Sequence, residues 1–172
     1  MADEGVSIER RKERIRALPY WLWRVLPLPR WARWIILWLG NTKYLVGVTG
    51  IVLDDTGRVL VARHTYRNRF PWGLPGGWVS GTERLELALA RELAEETGLD
   101  ITVGEVIHVQ SGYPRPQVDV YFLCRHYGGA FVPNAEIAEV RFCTLEELPQ
   151  RMLPDQVRVV VEHIRRRPDA PL

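Results

Sequence analysis

The segment Gly77–Leu99, GWVSGTERLELALARELAEETGL, gathers carboxylates around one arginine, Arg91, near the middle of the chain. The carboxylates that matter for chemistry are those of Glu83, Glu92, Glu95 and Glu96. Carboxylate oxygens are the ligands of hard divalent cations, and Mg²⁺ is commonly shared between protein carboxylates and substrate phosphates. The segment therefore predicts metal-assisted chemistry on a phosphate-containing substrate.

A helix from Thr82 to Thr97 is predicted to carry these carboxylates, because leucine, alanine, glutamate and arginine all have good helix propensity. Gly98 is typical of a helix C-terminal stop, where glycine readily takes a positive φ. At the other end, Ser80 and Glu83 have capping-box spacing, and Thr82 is an alternative N-cap.

The helical wheel puts two of the carboxylates on the core-facing side. With Leu85 at zero and about 100° per residue, Leu89 falls near 40°, Glu96 near 20° and Glu92 near 340°. Glu95 lies at the edge of that face. A solvated helix with i,i+4 ion pairs does not explain this placement. Carboxylates on a core-facing side are costly unless positive charge compensates them, and a bound cation would do so.

The spacing G-x5-E-x7-R-E-U-x-E-E-x-G-U, where U is aliphatic, runs through the whole segment from Gly77 to Leu99. A chance match arises about once per billion starting positions at ordinary residue usage. The segment resembles the Nudix box, and the chain is similar to the Nudix hydrolases over residues 44–166. The resemblance implies a pyrophosphohydrolase acting on phosphorus-containing acid anhydrides. Its expected substrate is a nucleoside diphosphate linked to another group.

Site roles are implied by the same resemblance. The expected ligands of Mg²⁺, for which Mn²⁺ is a substitute, are Glu92, Glu95, Glu96 and the carbonyl of Gly76. Arg91 is expected to orient the cluster by pairing with Glu83, for which simple helix capping is the alternative.

The general base is either a box glutamate, with Glu95 as the candidate, or a glutamate from a later loop. The later run NAEIAEVRFCTLEELP resembles the family's closing segment. It offers Glu136 and Glu139, of which Glu139 is preferred. The alternative is that both are ordinary exposed charges at the end of a strand.

The expected fold is an α/β/α sandwich around a mixed β-sheet, preceded by an N-terminal helical extension. Strand-like runs cover 44–55, 58–63, 101–111, 118–127 and 139–145, and a helical run covers 153–167. Gly128 and Gly129 are predicted to form a turn. The predicted domains are an extension over 1–43, a catalytic domain over 44–167 and a tail over 168–172.

Composition narrows the class of protein. A chain of 172 residues, 47% hydrophobic and 26% charged, suits one soluble globular domain. A net charge of +2 is too small to indicate a nucleic-acid partner. Cys124 and Cys143 lack metal-ligand spacing and are predicted to be free buried thiols in a reducing cytoplasm.

The N-terminal segment departs from a minimal catalytic domain, because it holds five of the seven tryptophans and several prolines and arginines. Its uninterrupted apolar piece, Trp34–Gly40, is far short of the roughly 20 residues that span a bilayer. No small-residue cleavage site follows it. Three interpretations stay open: an extra layer on its own domain, a homodimer interface, or peripheral membrane contact through residues 20–40.

Substrate contacts are expected from a basic loop before PWGLPGG and from two aromatic residues. Arg63 and Arg67 are the phosphate-binding candidates, with solvated loop charge as the alternative. Trp72 and Tyr113 are candidates for stacking on a base, although Trp72 could equally pack beneath the glycine turn.

An NDP-sugar or ADP-ribose is the favoured substrate. The alternatives are a (deoxy)nucleoside triphosphate house-cleaning pyrophosphatase and a non-catalytic nucleotide-binding module.

Overall fold

The computed structural model describes residues 29–112 and 115–165. The chain divides into two compact units between Lys43 and Tyr44. The described part of the first unit contains helix α1, Arg30–Gly40. The second unit contains, in chain order, β1 (Leu45–Leu53), β2 (Val59–His64), β3 (Trp72–Gly73), β4 (Gly76–Trp78), α2 (Leu85–Thr97), β5 (Leu99–Gly112), β6 (Gln117–Gly129), β7 (Ile137–Cys143) and α3 (Pro154–Arg165).

One mixed seven-stranded sheet forms the centre of the second unit, with the strand order β3-β2-β1-β6-β5. Strand β4 pairs with β1, and β7 pairs with β2. The β1–β6 pair is parallel, whereas the other pairs between strands are antiparallel. The central pair aligns Val48 with Val120 and Val52 with Cys124.

Each face of the sheet buries one helix. Because side chains alternate along a strand, Val48 and Val52 of β1 face α2, while Ile51 between them belongs to the opposite core with α3. Phe122 and Leu89 are fully buried in the first core. Burial of side chains of this size contributes about 1.5–3 kcal/mol each. Helices on both faces of a mixed sheet confirm the predicted α/β/α architecture.

The predicted N-terminus of α2 is wrong, because the helix begins at Leu85 and not at Thr82. Arg84 is the extended N-cap, and no side chain caps the helix there. The predicted capping box does not form, since the Glu83 carboxylate is bound by Arg91. The predicted stop is confirmed: Gly98 has φ 65° and donates its N–H to the Ala94 carbonyl.

Two short strands and one strand end also differ from prediction. The Pro-Gly-rich stretch before α2 contains β3 and β4. Strands of two and three residues are too short to show an alternating sequence pattern. Gly128 and Gly129 lie within β6 and not in a turn, because they pair with Asp100 and Leu99 at the start of β5. Cys124 and Cys143 are free and buried, as predicted. No helix within the described ranges is long and apolar enough to cross a bilayer.

Candidate active site

Arg91 binds three glutamates at once from the middle of α2. Its Nε and Nη2 donate to the two carboxylate oxygens of Glu83, each at 3.2 Å. Its Nη1 donates to Glu92 Oε1 at 2.9 Å and to Glu95 Oε2 at 3.2 Å. The hydrogen bonds from Arg91 lower the pKa of Glu83. The expected Arg91–Glu83 pairing is therefore present, and the planar guanidinium also orients two further carboxylates.

Glu96 is the buried carboxylate of the cluster, with 4% of its surface exposed. It lies on the core-facing side of α2, and its Oε2 accepts a hydrogen bond from the Gly76 N–H at 2.9 Å. Burial raises the pKa of Glu96 to about 7, with further increases from Glu92 and Glu136 against the lowering by the Gly76 bond. The carboxylates of one helix thus have different environments, since Glu95 is largely exposed.

The glycine pair of β4 lets the backbone approach these carboxylates closely. A Cβ on Gly77 would lie 2.3 Å from the carboxyl carbon of Glu92. Gly76 has φ +146°, and a Cβ there would lie 2.2 Å from the Val48 carbonyl oxygen. Gly76 therefore requires glycine, whereas a side chain at position 77 would displace the Glu92 carboxylate, because β4 is packed tightly between β1 and the carboxylates of α2.

A cavity of about 540 Å³ opens beside the carboxylates. The charged side chains lining it within the described ranges are six carboxylates and one arginine. They are Glu92, Glu95, Glu96, Asp119, Glu136, Asp155 and Arg67. Such a lining, acidic on the whole, is suited to cations and to groups that donate hydrogen bonds.

The structure brings Glu136, but not Glu139, together with the box carboxylates. Glu136 lines the cavity and raises the pKa of Glu96. Glu139 is absent from the described lining and accepts hydrogen bonds from Arg141 at 2.6 Å and Arg63 at 3.2 Å. The bond from Arg141 is the main cause of the lowered pKa of Glu139. The placement of Glu139 thus does not support the preference for it as the general base.

Asn134 connects the backbone at Glu136 to the end of α2, and no sequence motif marks it as a site residue. Its Nδ2 donates to the Glu96 carbonyl at 2.9 Å. Its Oδ1 accepts from the N–H groups of Glu136 at 2.9 Å and Ile137 at 2.7 Å. One side chain therefore fixes the loop that carries Glu136 against the helix that carries the other carboxylates.

The four predicted substrate contacts lie in different places. Arg67 lines the cavity. Arg63 instead pairs with Glu139 across β2 and β7. Trp72 is a buried member of the core that packs against α3, which agrees with the alternative of packing beneath the glycine turn. Tyr113 lies outside the described residues.

Residues 43–163 match the family model of the NUDIX domain. The chain belongs to the Nudix family. It is a Nudix pyrophosphohydrolase, an enzyme acting on phosphorus-containing acid anhydrides. The predicted family, fold class and enzyme class are confirmed.

Relatives of this Nudix hydrolase include a MutT-like protein of Streptomyces ambofaciens, 35% identical over 107 residues that cover 62% of this chain and 68% of the relative. An ADP-ribose pyrophosphatase of Methanocaldococcus jannaschii is 29% identical over 124 residues, covering 70% of this chain and 73% of the relative. A solved Nudix hydrolase from Nitrosomonas europaea has a TM-score of 0.68 and 24% identity over 74% of this chain and 73% of its own. That structural likeness supports the fold.

Several polar side chains of the cavity were missed by the sequence argument. Gln117, Asp119 and Tyr121 lie at every second position of β6 and line the cavity. The Gln117 amide donates to Asp119 Oδ1 at 2.6 Å, and the Gln110 amide of β5 donates to the Tyr121 hydroxyl at 3.1 Å. Polar residues at period two in an otherwise apolar strand are the signal that could have found them. Trp78, at the end of β4, also lines the cavity.

A divalent cation fits the donor chemistry of this site, although the donors are not gathered around a single point. In the described part of the chain, no group of three or more His, Cys, Asp or Glu side chains is arranged to hold a metal ion. Glu92 and Glu95 are instead bound to Arg91. The remaining charge is unbalanced, because Glu96 is buried near Glu92 and Glu136 and its pKa is raised. Hard oxygen donors with excess negative charge suit Mg²⁺.

Proposed function

We propose that residues 44–167 form a catalytic domain that hydrolyses the pyrophosphate bond of a nucleoside diphosphate linked to a sugar or similar group, ADP-ribose included. The observation that carries this proposal is the composition of the cavity beside the carboxylates. Besides the glutamates and Arg67, the cavity is lined by side-chain amides, by hydroxyls and by the carboxylates of Asp119 and Asp155. These groups suit a hydroxyl-rich ligand. A volume of about 540 Å³ lies in the usual range for small-molecule sites.

Charge favours a diphosphate diester over a triphosphate. The described lining offers one arginine, Arg67, against six carboxylates. Each additional phosphate of a substrate needs further positive charge at close range. Asp119 and Asp155 can accept hydrogen bonds from ribose or sugar hydroxyls, whereas they would repel a triphosphate tail. The lining thus supports a substrate with a short phosphate bridge and a hydroxyl-rich second half.

Names of relatives agree with this class. The Methanocaldococcus jannaschii relative is named as an ADP-ribose pyrophosphatase. Solved structures of the same fold include an ADP-ribose pyrophosphatase from Streptococcus suis and a UDP-X diphosphatase. A (deoxy)nucleoside triphosphate pyrophosphatase is the second candidate, because a Bacillus subtilis relative, 31% identical over 122 residues, bears a provisional 8-oxo-dGTP diphosphatase name.

The side chains divide the reaction between them. Glu92, Glu95, Glu96 and the Gly76 carbonyl would hold Mg²⁺ or Mn²⁺, which would neutralise phosphate charge and lower the pKa of a water. Arg91 holds the carboxylates in place through its bonds to Glu83, Glu92 and Glu95. We propose that the Glu136 carboxylate, in preference to that of Glu139, accepts the proton of the attacking water. Arg67 binds a phosphate oxygen.

Addition of this water to one phosphorus breaks the bridging P–O bond and gives two phosphate monoesters. Catalysis then rests on positioning and electrostatics, because the protein forms no covalent bond to the substrate in this scheme.

The test is a substrate panel assayed with excess Mg²⁺ on the wild type and on Glu96→Gln. The panel holds ADP-ribose, several NDP-sugars, NTPs and dNTPs, and chromatography resolves the products. Glu86→Gln is the matched control, because Glu86 is an exposed glutamate on the same helix. We expect an NDP-linked compound to be cleaved to a nucleoside monophosphate by the wild type and Glu86→Gln but not by Glu96→Gln. Preferential release of inorganic pyrophosphate from NTPs would favour the second candidate.

A further inference from the structure

Helix α1 exposes its large apolar side chains along its length. Trp31, Trp34 and Trp38 have exposed fractions of 68%, 67% and 52%. Ile35 and Leu39 are also exposed, at 45% and 67%. Among the described residues, none belonging to α1 is buried. Burial of so much apolar surface in a less polar medium would be strongly favourable.

The three tryptophans of α1 lie on one side of the helix, at spacings of i, i+3 and i+7. At about 100° per residue, they and Ile35 fall within a sector of about 100°, while Arg33 points to the opposite side. The indole ring joins a large apolar body to an N–H donor, and tryptophan is therefore enriched at the boundary between lipid and water.

The charged residues that surround α1 in the sequence are all basic. The sequence contains no aspartate or glutamate between Glu13 and Asp54. The basic residues in that interval are Arg14, Arg16, Arg24, Arg30, Arg33 and Lys43. The Lys43 ammonium lies 4.4 Å from the centre of the Trp38 ring and donates to the Trp38 carbonyl. The apolar helix is therefore flanked by basic residues that complement an anionic surface.

The length of α1 excludes a span of the membrane. Its 11 residues extend about 16 Å at 1.5 Å per residue, whereas the hydrocarbon core of a bilayer is about 30 Å thick. A short apolar helix with tryptophans on one side and nearby arginines is suited to lying in the interfacial plane.

We propose that α1 and its basic flanks dock this Nudix hydrolase on the surface of a bilayer containing anionic phospholipid. Pairing with a second copy of α1 would bury the same tryptophans, but a second copy offers no acidic side chain between Glu13 and Asp54 to pair with the basic flanks. An anionic surface satisfies the apolar and the basic groups at once. This proposal is independent of which nucleotide the enzyme cleaves.

Flotation of the full chain with vesicles tests the proposal. The vesicles are phosphatidylcholine alone or phosphatidylcholine with phosphatidylglycerol. We expect the protein to float with the anionic vesicles and to be released by high salt. The triple variant Trp31→Ala/Trp34→Ala/Trp38→Ala should stay in the bottom fraction. Its matched control removes exposed apolar side chains of the second unit, Leu87→Ala/Val109→Ala/Tyr127→Ala, and should float like the wild type.

A second pair of variants isolates the electrostatic part. Replacing Arg30 and Lys43 by glutamine should lower the partition coefficient for anionic vesicles by about thirtyfold, since a basic residue near the surface contributes about a factor of five. Arg84→Gln/Arg125→Gln makes the same change of charge at exposed positions of the second unit and should change partitioning little.

Hydrolase activity and the thermal midpoint are measured for every variant, so a variant that fails to fold is recognised. Failure of the full chain to float with anionic vesicles would overturn the proposal, as would undiminished flotation of the triple tryptophan variant. A lipid-free dimer that becomes monomeric in the triple variant, without flotation of either protein, would assign the tryptophans to self-association instead.

Discussion

At the residue scale, the local environment of each carboxylate decides what it can do. Glu83 accepts a bidentate hydrogen bond from Arg91, which lowers its pKa and favours its charged form. Glu96 is buried against the glycine pair, and its pKa rises to about 7. Identical side chains at the two ends of α2 therefore differ in how strongly the charged form is favoured. The same reasoning separates Glu136 from Glu139, because only Glu136 lines the cavity within the described ranges.

Substitution of Glu136 by glutamine removes the proposed proton acceptor with little change of shape. We expect kcat to fall by about 10²- to 10⁴-fold, the usual contribution of general-base catalysis, with KM changed far less. Steady-state kinetics on the best substrate of the panel measures both constants. Glu139→Gln is the matched comparison, because Glu139 is held by Arg63 and Arg141 away from the cavity. A larger loss of kcat in Glu139→Gln than in Glu136→Gln would return the role to Glu139.

At the scale of the elements, sequence periodicity correctly predicted the end of α2 and its buried side, because both depend on local sequence. The box helix ends at Gly98 as expected, and the wheel correctly put Glu96 on the buried side and Glu95 at the edge. The predicted N-terminus of α2 was wrong, since Arg91 binds Glu83, which would have completed the capping box. That contact joins α2 to a residue that precedes the helix, so it depends on tertiary structure. The roles of Asn134 and Trp72 depend on contacts between distant elements, which no local pattern encodes.

The close contact between β4 and α2 can be tested at Gly77. An alanine there would place a Cβ 2.3–2.6 Å from the Glu92 carboxyl group, at the far end of a flexible side chain. We expect the fold to tolerate the change, with the thermal midpoint lowered by a few degrees, because the carboxylate can move aside. Activity should fall at least about tenfold, because the displaced carboxylate also loses its bond to Arg91.

Gly40→Ala is the control for that variant, since a Cβ at Gly40 would meet nothing within 4 Å among the described residues. Kinetics and thermal unfolding of both proteins give the comparison. Full activity in Gly77→Ala would show that the position of the Glu92 carboxylate is not critical for turnover.

At the scale of the whole molecule, charge is distributed unevenly along the chain. The first 43 residues are net basic, whereas the remainder, which holds the acidic cavity, is net acidic. The overall net charge of +2 conceals this asymmetry. An acidic catalytic domain is repelled by an anionic surface, so surface attachment would depend on the basic segment with its exposed tryptophans. Attachment and catalysis would thus be carried by different parts of the chain and could be removed separately.

One buried histidine should contribute to the pH dependence of folding stability. His64, at the end of β2, is 2% exposed, and its Nε2 has no hydrogen-bond partner within the described structure. Burial, together with the nearby Arg67 charge, lowers the pKa of His64 to about 4. An unfolded chain binds a proton at this side chain below its ordinary pKa of 6.5, whereas the folded protein does not. The contribution of His64 to stability is therefore lost as pH falls from about 6.5 towards 4, while Glu96, with its pKa raised to about 7, contributes in the opposite direction.

His64→Gln should remove this pH dependence, because glutamine does not titrate. Urea unfolding of both proteins between pH 7 and pH 4 gives the difference in unfolding free energy at each pH. We expect that difference to shift in favour of the variant by on the order of 3 kcal/mol across the interval. His126→Gln is the comparison on the same sheet, and it subtracts the general effect of replacing a histidine. Parallel stability curves for the wild type and His64→Gln would mean that the pKa of His64 in the folded protein is its ordinary value of 6.5.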